Sequence, residues 1–207
     1  MNKRNSLMAV SSITIVMLSA MLFTNSFASP KKAEFIGSKK CKMCHNKRAT
    51  GKQYSIWKES SHAKAFDLLG TDSAKAVAAK LGIKDPQTSG KCLKCHRTVY
   101  NLTESVVSNI SVRKSGKPRI TVSEGVGCES CHNAGSLYQK KKIMQNLAKS
   151  IAAGMNPHPE KNCVKCHNSD NPTWNPNKYI LTDSTTSGFD FDQAWEKIKH
   201  PNPKKKK

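Results

Sequence analysis

Four stretches of the chain have the spacing of apolar and polar residues, or the composition, that is typical of α-helices. Residues 105–122 alternate apolar and polar positions instead, around a turn at Ser115-Gly116-Lys117-Pro118, which predicts one short β-hairpin. Residues 168–187 are rich in Asn, Pro, Ser and Thr and are predicted to form a loop. The chain is therefore expected to be mainly α with long loops, and its predicted helices are 53–69, 71–81, 134–153 and 189–200.

The chain contains too few large apolar residues to build a generous core. Only 37% of its 207 residues are hydrophobic and 6% are aromatic. A chain of this composition either stays partly disordered or takes apolar surface from another body that it binds. A bound apolar group is therefore expected to replace part of the side-chain core.

The N-terminus has the pattern of a secretion signal. Lys3 and Arg4 form a positive region, residues 7–23 are mostly apolar, and Ser26-Phe27-Ala28 resembles a cleavage site. We expect cleavage near Ala28 and export to the periplasm, with no membrane span left afterwards. The alternative is an uncleaved anchor, although an apolar stretch of about 17 residues is at the short limit for crossing a bilayer.

All eight cysteines occur as C-x-x-C pairs, and a histidine follows each pair directly. C-x-x-C-H is the attachment motif of haem c, in which two thiols bond to the haem vinyl groups and the histidine ligates the iron. The motifs, called first to fourth below, are Cys41-Lys42-Met43-Cys44-His45, Cys92-Leu93-Lys94-Cys95-His96, Cys128-Glu129-Ser130-Cys131-His132 and Cys163-Val164-Lys165-Cys166-His167.

Three other uses of paired cysteines compete with haem attachment. They are a disulfide framework, zinc sites and a redox dithiol. None of them explains why a histidine follows every pair. The sequence therefore predicts four covalent haem c groups that take the place of a side-chain core in a small multihaem cytochrome c fold.

The remaining histidines limit how the haem irons can be ligated. His62, His158 and His200 are the only ones outside the motifs, so at most three haems can have two histidine ligands from this chain. The fourth iron must use another ligand, take one from a second chain, or keep an open position. Methionine is the usual alternative ligand, and the candidates are Met144 and Met155.

Each of these three histidines also has an ordinary structural interpretation. His62 shares a predicted helix face with Phe66 and Leu69, as a boundary residue would. His158 lies in a loop stiffened by two flanking prolines. His200 follows an apolar helical stripe and could interact with the helix dipole. We interpret all three as distal ligands of haem iron, because four haems leave little room for histidines without that role.

The formal net charge of +21 would ordinarily suggest nucleic-acid binding. Export argues against nucleic acid, and haem propionates would offset much of the charge. The excess is expected to steer docking to redox proteins with acidic surfaces. The run Lys204–Lys207 is interpreted as a solvated basic tail. The expected organisation is a signal peptide at 1–28, one haem-binding domain at 29–203 and the tail at 204–207.

From Phe35 to His200 the chain resembles the tetrahaem cytochrome c-554 family of ammonia-oxidising bacteria and their relatives. The resemblance rests on Gly37-Ser38-Lys39-Lys40-Cys41, on Trp57 with Ser61-His62-Ala63-Lys64-Ala65, and on Gly125-Val126-Gly127 leading into the third motif. It implies three bis-histidine haems and one haem, at His96, that lacks a distal ligand. It also implies that His62 lies opposite His132 and His200 opposite His167. The family's distal histidine for the first haem follows the third motif, where residues 133–157 contain none. His158 is the replacement and is assigned opposite His45.

The resemblance implies electron transfer between an oxidoreductase and downstream carriers. The expected function is that of a periplasmic electron carrier without a substrate of its own. Two alternatives remain at this stage. One is an enzyme that reduces a small nitrogen species, such as nitric oxide or nitrite, at the open haem, and the other is a subunit of a haem-chain assembly.

Overall fold

The computed structural model describes residues 31–99, 110, 114–175 and 189–203, and residues 33–207 form one compact unit. The expected fold class is confirmed, since the described part is mainly helical. Phe35 and Ile110 form an isolated parallel bridge. Eight of the eighteen residues of the predicted hairpin, 105–109 and 111–113, lie outside the described residues. The α-helices are α1 Ser38–His45, α2 Gln53–Glu59, α3 Ala65–Leu68, α4 Asp72–Lys80, α5 Gly90–His96, α6 Cys128–His132, α7 Lys141–Met144, α8 Leu147–Ala152, α9 Glu160–Cys163 and α10 Phe191–Ile198.

Helices α4 and α10 confirm the predictions for 71–81 and 189–200. Each begins at a residue whose side chain satisfies a free backbone N–H of the first turn. The Thr71 hydroxyl accepts from the Ala74 N–H at 3.3 Å, and the Asp190 carboxylate accepts from the Gln193 N–H at 2.9 Å. These capping residues fix where the two helices begin.

The prediction of one helix over 53–69 was wrong, because the helix breaks at Ser60. Ser60 adopts an extended conformation, and its hydroxyl donates to the Trp57 carbonyl at 2.7 Å. A serine side chain can compete in this way with the backbone bonds of a helix. The segment therefore forms α2, a turn that carries His62, and the short α3. His62 consequently lies in a turn and not on a helix face.

The predicted helix over 134–153 is also divided. Asn146 leaves the helical conformation and its side chain accepts from the Lys149 N–H at 3.0 Å, so that α8 begins anew after α7. Upstream, the Gly135 N–H donates to a Glu129 carboxylate oxygen at 2.7 Å and the Ser136 N–H to the Glu34 carbonyl at 3.1 Å. These contacts with distant residues replace the local bonds that a continuous helix would need. Gly154 ends α8 as expected, with φ +95°.

Among the described residues, the buried apolar side chains that pack together form a small cluster. Val99, Ile110 and Ile120 pack together, with Phe35 against them. This sparse packing agrees with a fold in which bound apolar groups replace part of the side-chain core. No helix among the described residues is long and apolar enough to cross a membrane. The predicted signal peptide and the tail at 204–207 lie outside the described residues.

Candidate haem sites

Three of the four C-x-x-C-H motifs lie within helices. The first, second and third motifs are contained in α1, α5 and α6, and the fourth begins at the end of α9 and continues into a turn. One helical turn places the two cysteines of a motif and the following histidine on neighbouring positions. All eight cysteines are free thiols, as haem attachment requires.

Three of the motif histidines are held by a hydrogen bond at Nδ1. The Nδ1–H of His96 donates to the Ala65 carbonyl at 2.7 Å, and that of His132 donates to the Asn156 carbonyl at 2.8 Å. His45 Nδ1 donates to the side-chain oxygen of Gln53 at 2.5 Å. Since a carbonyl oxygen can only accept, these bonds fix the proton on Nδ1 and leave Nε2 available for a metal. This arrangement is typical of metal-ligating histidines.

Two of the remaining histidines lie opposite motif histidines. The ring centroids of His62 and His167 are 6.0 Å apart, and those of His132 and His200 are also 6.0 Å apart. Two imidazoles that bind one metal from opposite sides at about 2 Å each have centroids roughly 6 Å apart. Burial lowers the pKa of His62, His132 and His200, which favours the neutral imidazole that a metal requires.

This pairing differs from the one that the family resemblance implied. His62 lies by the fourth motif and His200 by the third, whereas the resemblance placed them the other way round. The His62 backbone is fixed near the third motif, since its carbonyl accepts from the Val126 N–H at 2.9 Å, but its ring lies against that of His167. His167 also stacks on Phe189, with ring centroids 5.1 Å apart.

The structure does not bring His158 to a motif histidine. His158 is exposed, and its backbone N–H donates to the Asn156 side chain at 3.1 Å. Its assignment opposite His45 stays a prediction. Neither Met144, which is 36% exposed, nor Met155, whose N–H donates to the Ser150 carbonyl at 2.9 Å, lines the cavity described below.

The four motifs contact one another in the order first, third, fourth, second. Ser38, in the helix of the first motif, accepts from the Cys128 N–H of the third motif at 3.0 Å. Asn162, next to the fourth motif, donates to the carbonyl of Cys131 in the third at 3.0 Å. The Cys166 thiol of the fourth motif donates to the Lys94 carbonyl in the second at 3.7 Å. The first and second motifs are therefore the two ends of a continuous series.

A buried carboxylate fixes the third motif to the segment before the first. Glu129 is 3% exposed and accepts hydrogen bonds from the backbone N–H groups of Ile36, Gly37 and Gly135 at 2.7–3.1 Å. Burial raises the pKa of Glu129, although these bonds act in the opposite direction. Sequence analysis missed this role, and its one signal was an acidic residue within an attachment motif.

A second carboxylate continues this contact. Glu124 accepts from the backbone N–H of Ser38 at 3.0 Å and from its hydroxyl at 2.8 Å, and the Ser38 hydroxyl accepts from the Cys128 N–H at 3.0 Å. Burial raises the pKa of Glu124 as well. The start of α1 and the start of α6 thus share one set of buried hydrogen bonds. We call Glu124, Glu129 and Ser38 the carboxylate clamp.

Gly125-Val126-Gly127 is closely packed against the rest of the unit. A side chain on Gly125 would lie 2.6 Å from the Ala63 carbonyl oxygen, and one on Gly127 would lie 2.4 Å from a Glu124 carboxylate oxygen. The Val126 carbonyl accepts from the indole N–H of Trp57 at 2.9 Å. The glycines are therefore required for the close packing that joins the His62 turn to the third motif.

A cavity of about 590 Å³ opens beside the second motif. This volume is within the range of cofactor sites. Cys92, Cys95 and His96 line one part of it, and no second histidine and no methionine is among the lining residues that the structure describes. Much of the remaining wall is apolar and consists of Leu68, Leu69, Ala74, Val77, Ala78, Leu81, Ile83 and Pro86.

The donor groups fit haem and do not fit a site for a bare metal ion. Among the described residues no three His, Cys, Asp or Glu side chains converge on one point. A tetrahedral zinc site would need four protein ligands. Haem iron needs one or two, because the macrocycle supplies the others. Paired thiols, an adjacent imidazole with Nε2 free and a second imidazole across from it satisfy this requirement.

Comparison with known proteins gives a consistent result. The profile of the family described as cytochrome c554 and c-prime matches residues 40–133. Cytochrome c-554 of Nitrosomonas europaea is 29% identical over 208 aligned residues, which cover 88% of this chain and 82% of that protein. No solved structure matches the chain.

Proposed function

We propose that the chain belongs to the cytochrome c-554 family and is a c-type cytochrome that carries four covalently bound haems in the periplasm. It passes electrons between protein partners with acidic surfaces. The observation that carries the proposal is the continuous contact of the four attachment motifs. Haem c supplies a one-electron couple when bound. The chain supplies its attachment, its axial nitrogens and its exclusion from water.

The proposed assignment of ligands follows from the ring separations. His62 and His167 would hold one iron, and His132 and His200 would hold another. His45 and His96 are held for ligation by their Nδ1 hydrogen bonds. Two imidazole ligands favour a lower reduction potential than histidine with methionine, so the carrier should work at low potential.

Intact mass and electrochemistry together test this proposal. The mass of the denatured protein should equal that of the mature chain plus four haems, and a spectroelectrochemical titration should show four reversible one-electron steps. Fewer than four haems retained after denaturation, or irreversible steps, would contradict a four-haem carrier. Recovery of the protein in a periplasmic extract, with its N-terminus near Ser29, tests the location.

The cavity favours one second candidate function, the reduction of a small nitrogen species at the His96 haem. Its described lining offers no second histidine or methionine to occupy the iron. Reduction also needs proton donors placed at the bound molecule. Protein-film voltammetry with added nitrite or nitric oxide distinguishes the functions, since a catalytic current indicates an enzyme and an unchanged reversible signal a carrier.

A further inference from the structure

The first motif is the most exposed of the four. Met43 is 66% exposed and Cys44 is exposed, whereas Leu93 of the second motif and Glu129 of the third are buried at 6% and 3% exposure. The first motif is also one end of the series of motif contacts. An electron that enters or leaves the protein here would need to cross the least protein.

Positive charge surrounds this exposed motif. Between Glu34 and Glu59 the sequence has seven Lys or Arg residues and no Asp or Glu. The ion pairs found among the described residues involve lysines elsewhere, such as Lys64 with Glu59 and Lys75 with Asp72. The charges around the motif therefore have no carboxylate partner within their own segment. The exposed cations of this segment are Lys39, Lys42, Lys47, Arg48, Lys52 and Lys58.

We propose that the first-motif face, defined as Met43, Cys44, Lys42, Lys47, Arg48 and Lys52, is the surface on which an acidic redox protein docks. The proposal rests on the electron-transfer function proposed above and states where that function meets its partner. An apolar centre, Met43 beside Cys44, within a charged rim has the composition of a protein docking surface. Complementary charge mainly raises the rate of encounter.

The cations are carried on an ordered backbone. The Thr50 hydroxyl donates to the Cys44 carbonyl at 2.9 Å, and Gly51 turns the chain with φ +92°. Gln53 joins His45 to the C-terminal segment, because its amide nitrogen donates to the Pro201 carbonyl at 3.1 Å. A surface fixed in this way loses little conformational entropy when a partner binds.

A plant-type [2Fe–2S] ferredoxin, an acidic one-electron donor, is a suitable probe. Reduced ferredoxin gives one electron, and the tetrahaem protein takes it without bond formation or proton transfer. The variant carries Lys47→Glu, Arg48→Glu and Lys52→Glu. The control carries Lys80→Glu, Lys84→Glu and Lys149→Glu, which change the net charge equally with exposed lysines outside the first-motif face.

We expect the second-order rate constant at low salt to fall roughly 10- to 100-fold in the variant and no more than about threefold in the control. The difference should vanish at high salt, where charges are screened. Calorimetric binding of oxidised ferredoxin to the oxidised protein should weaken in the same order, which gives a readout independent of electron transfer. Equal losses in both proteins, or none in either, would overturn the proposal.

Two further measurements distinguish a wrong docking surface from a failed carrier function and from a lipid-binding surface. If reduction by dithionite still gives four reversible steps while the variant and control behave alike, the docking surface is wrong and the carrier function stands. If those steps are missing, the carrier function itself fails. Binding to phosphatidylglycerol vesicles that is lost in the variant, together with unchanged ferredoxin kinetics, would make the face a lipid-binding surface and overturn the proposal.

Discussion

The first and third attachment motifs have the same five-residue pattern, but the residues between their cysteines are exposed in the first motif and have buried polar groups in the third. The two residues between the cysteines are Lys42 and Met43 in the first motif, both exposed. In the third they are Glu129, which is buried, and Ser130, whose hydroxyl is buried. One motif therefore presents a basic surface to solvent, and the other contributes an acid to the interior.

This difference shows that the attachment motif specifies the chemistry and that its intervening residues specify the place in the fold. Glu129 accepts the free N–H groups of the segment that leads into the first motif, so the third motif organises its neighbour. Lys42 and Met43 are exposed instead and remain available for contact with a partner. Substitutions at matching positions should therefore have very different effects.

The largest effect is expected at the position after the first cysteine. Glu129→Ala should lower the free energy of unfolding by about 3–5 kcal/mol, because it leaves backbone N–H groups of Ile36, Gly37 and Gly135 buried without acceptors, at about 1–3 kcal/mol each. Urea unfolding of the haem-loaded protein measures this loss in the free energy of unfolding.

Lys42→Ala is the matched control in the first motif. It should lower the free energy of unfolding by at most about 1 kcal/mol, since the lysine is exposed and its ammonium lies over the Tyr54 ring, 5.6 Å from the centroid. Similar losses in the two variants would mean that the carboxylate clamp does not organise the interior.

The next effect concerns the glycines that precede two of the motifs. Gly127→Ala should destabilise by about 1–3 kcal/mol, because its side chain would meet the carboxylate clamp at 2.4 Å and 2.7 Å. Gly90→Ala, at the start of α5, should instead stabilise by about 0.4–1 kcal/mol, since nothing lies within 4 Å and an alanine restricts the unfolded chain. Thermal unfolding of both variants tests the opposite signs, and a shift in the same direction would contradict this packing.

A smaller effect is a pH dependence that belongs to the third motif. The pKa of Glu129 is raised by burial, so the folded protein binds a proton more tightly than the unfolded chain does. Stability should therefore increase as pH falls through the raised pKa towards the ordinary value of 4.5, and should decline as pH rises. Glu129→Gln should remove this part of the slope in unfolding measurements between pH 5 and 8, whereas Glu59→Gln, at an exposed residue, should keep it. An unchanged slope in Glu129→Gln would show that the group does not titrate in this way.

The smallest effects are expected at the position before the second cysteine. The Ser130 hydroxyl is buried without a hydrogen-bond partner, so Ser130→Ala should be neutral or should stabilise by up to about 1 kcal/mol. Met43→Ala should change stability by less than about 0.5 kcal/mol, because Met43 is mostly exposed. Calorimetric melting compares the two, and a marked loss in Ser130→Ala would reveal a partner for that hydroxyl.

Local signals in the sequence were sufficient for part of this structure. The attachment motifs, the mainly helical fold and helices α4 and α10 follow from spacing and capping residues. The breaks at Ser60 and Asn146 were missed, because side-chain bonds there outweigh helical periodicity. The carboxylate clamp could not be predicted either, since it joins residues more than 80 positions apart.

The ligand assignment was only partly predictable for the same reason. Counting histidines limits the histidine distal ligands to three but does not give their partners, which depend on how the His62 turn and the segment after α10 fold against the motifs. The resemblance implied that His62 pairs with His132 and His200 with His167. In this chain the ring of His62 lies by His167 and that of His200 by His132. A variant such as His62→Leu should therefore alter the haem of the fourth motif and not that of the third.

The most direct test of the account is the electron paramagnetic resonance spectrum of the ferric haem-loaded protein, recorded with and without nitric oxide. His62 and His200 lie by motif histidines, His158 is the predicted distal ligand of the His45 haem, and the His96 cavity has no described second ligand. This assignment predicts low-spin signals together with a high-spin signal from about one haem in four. Nitric oxide should perturb that signal. Four low-spin haems that do not respond to nitric oxide would contradict an open position at the second motif.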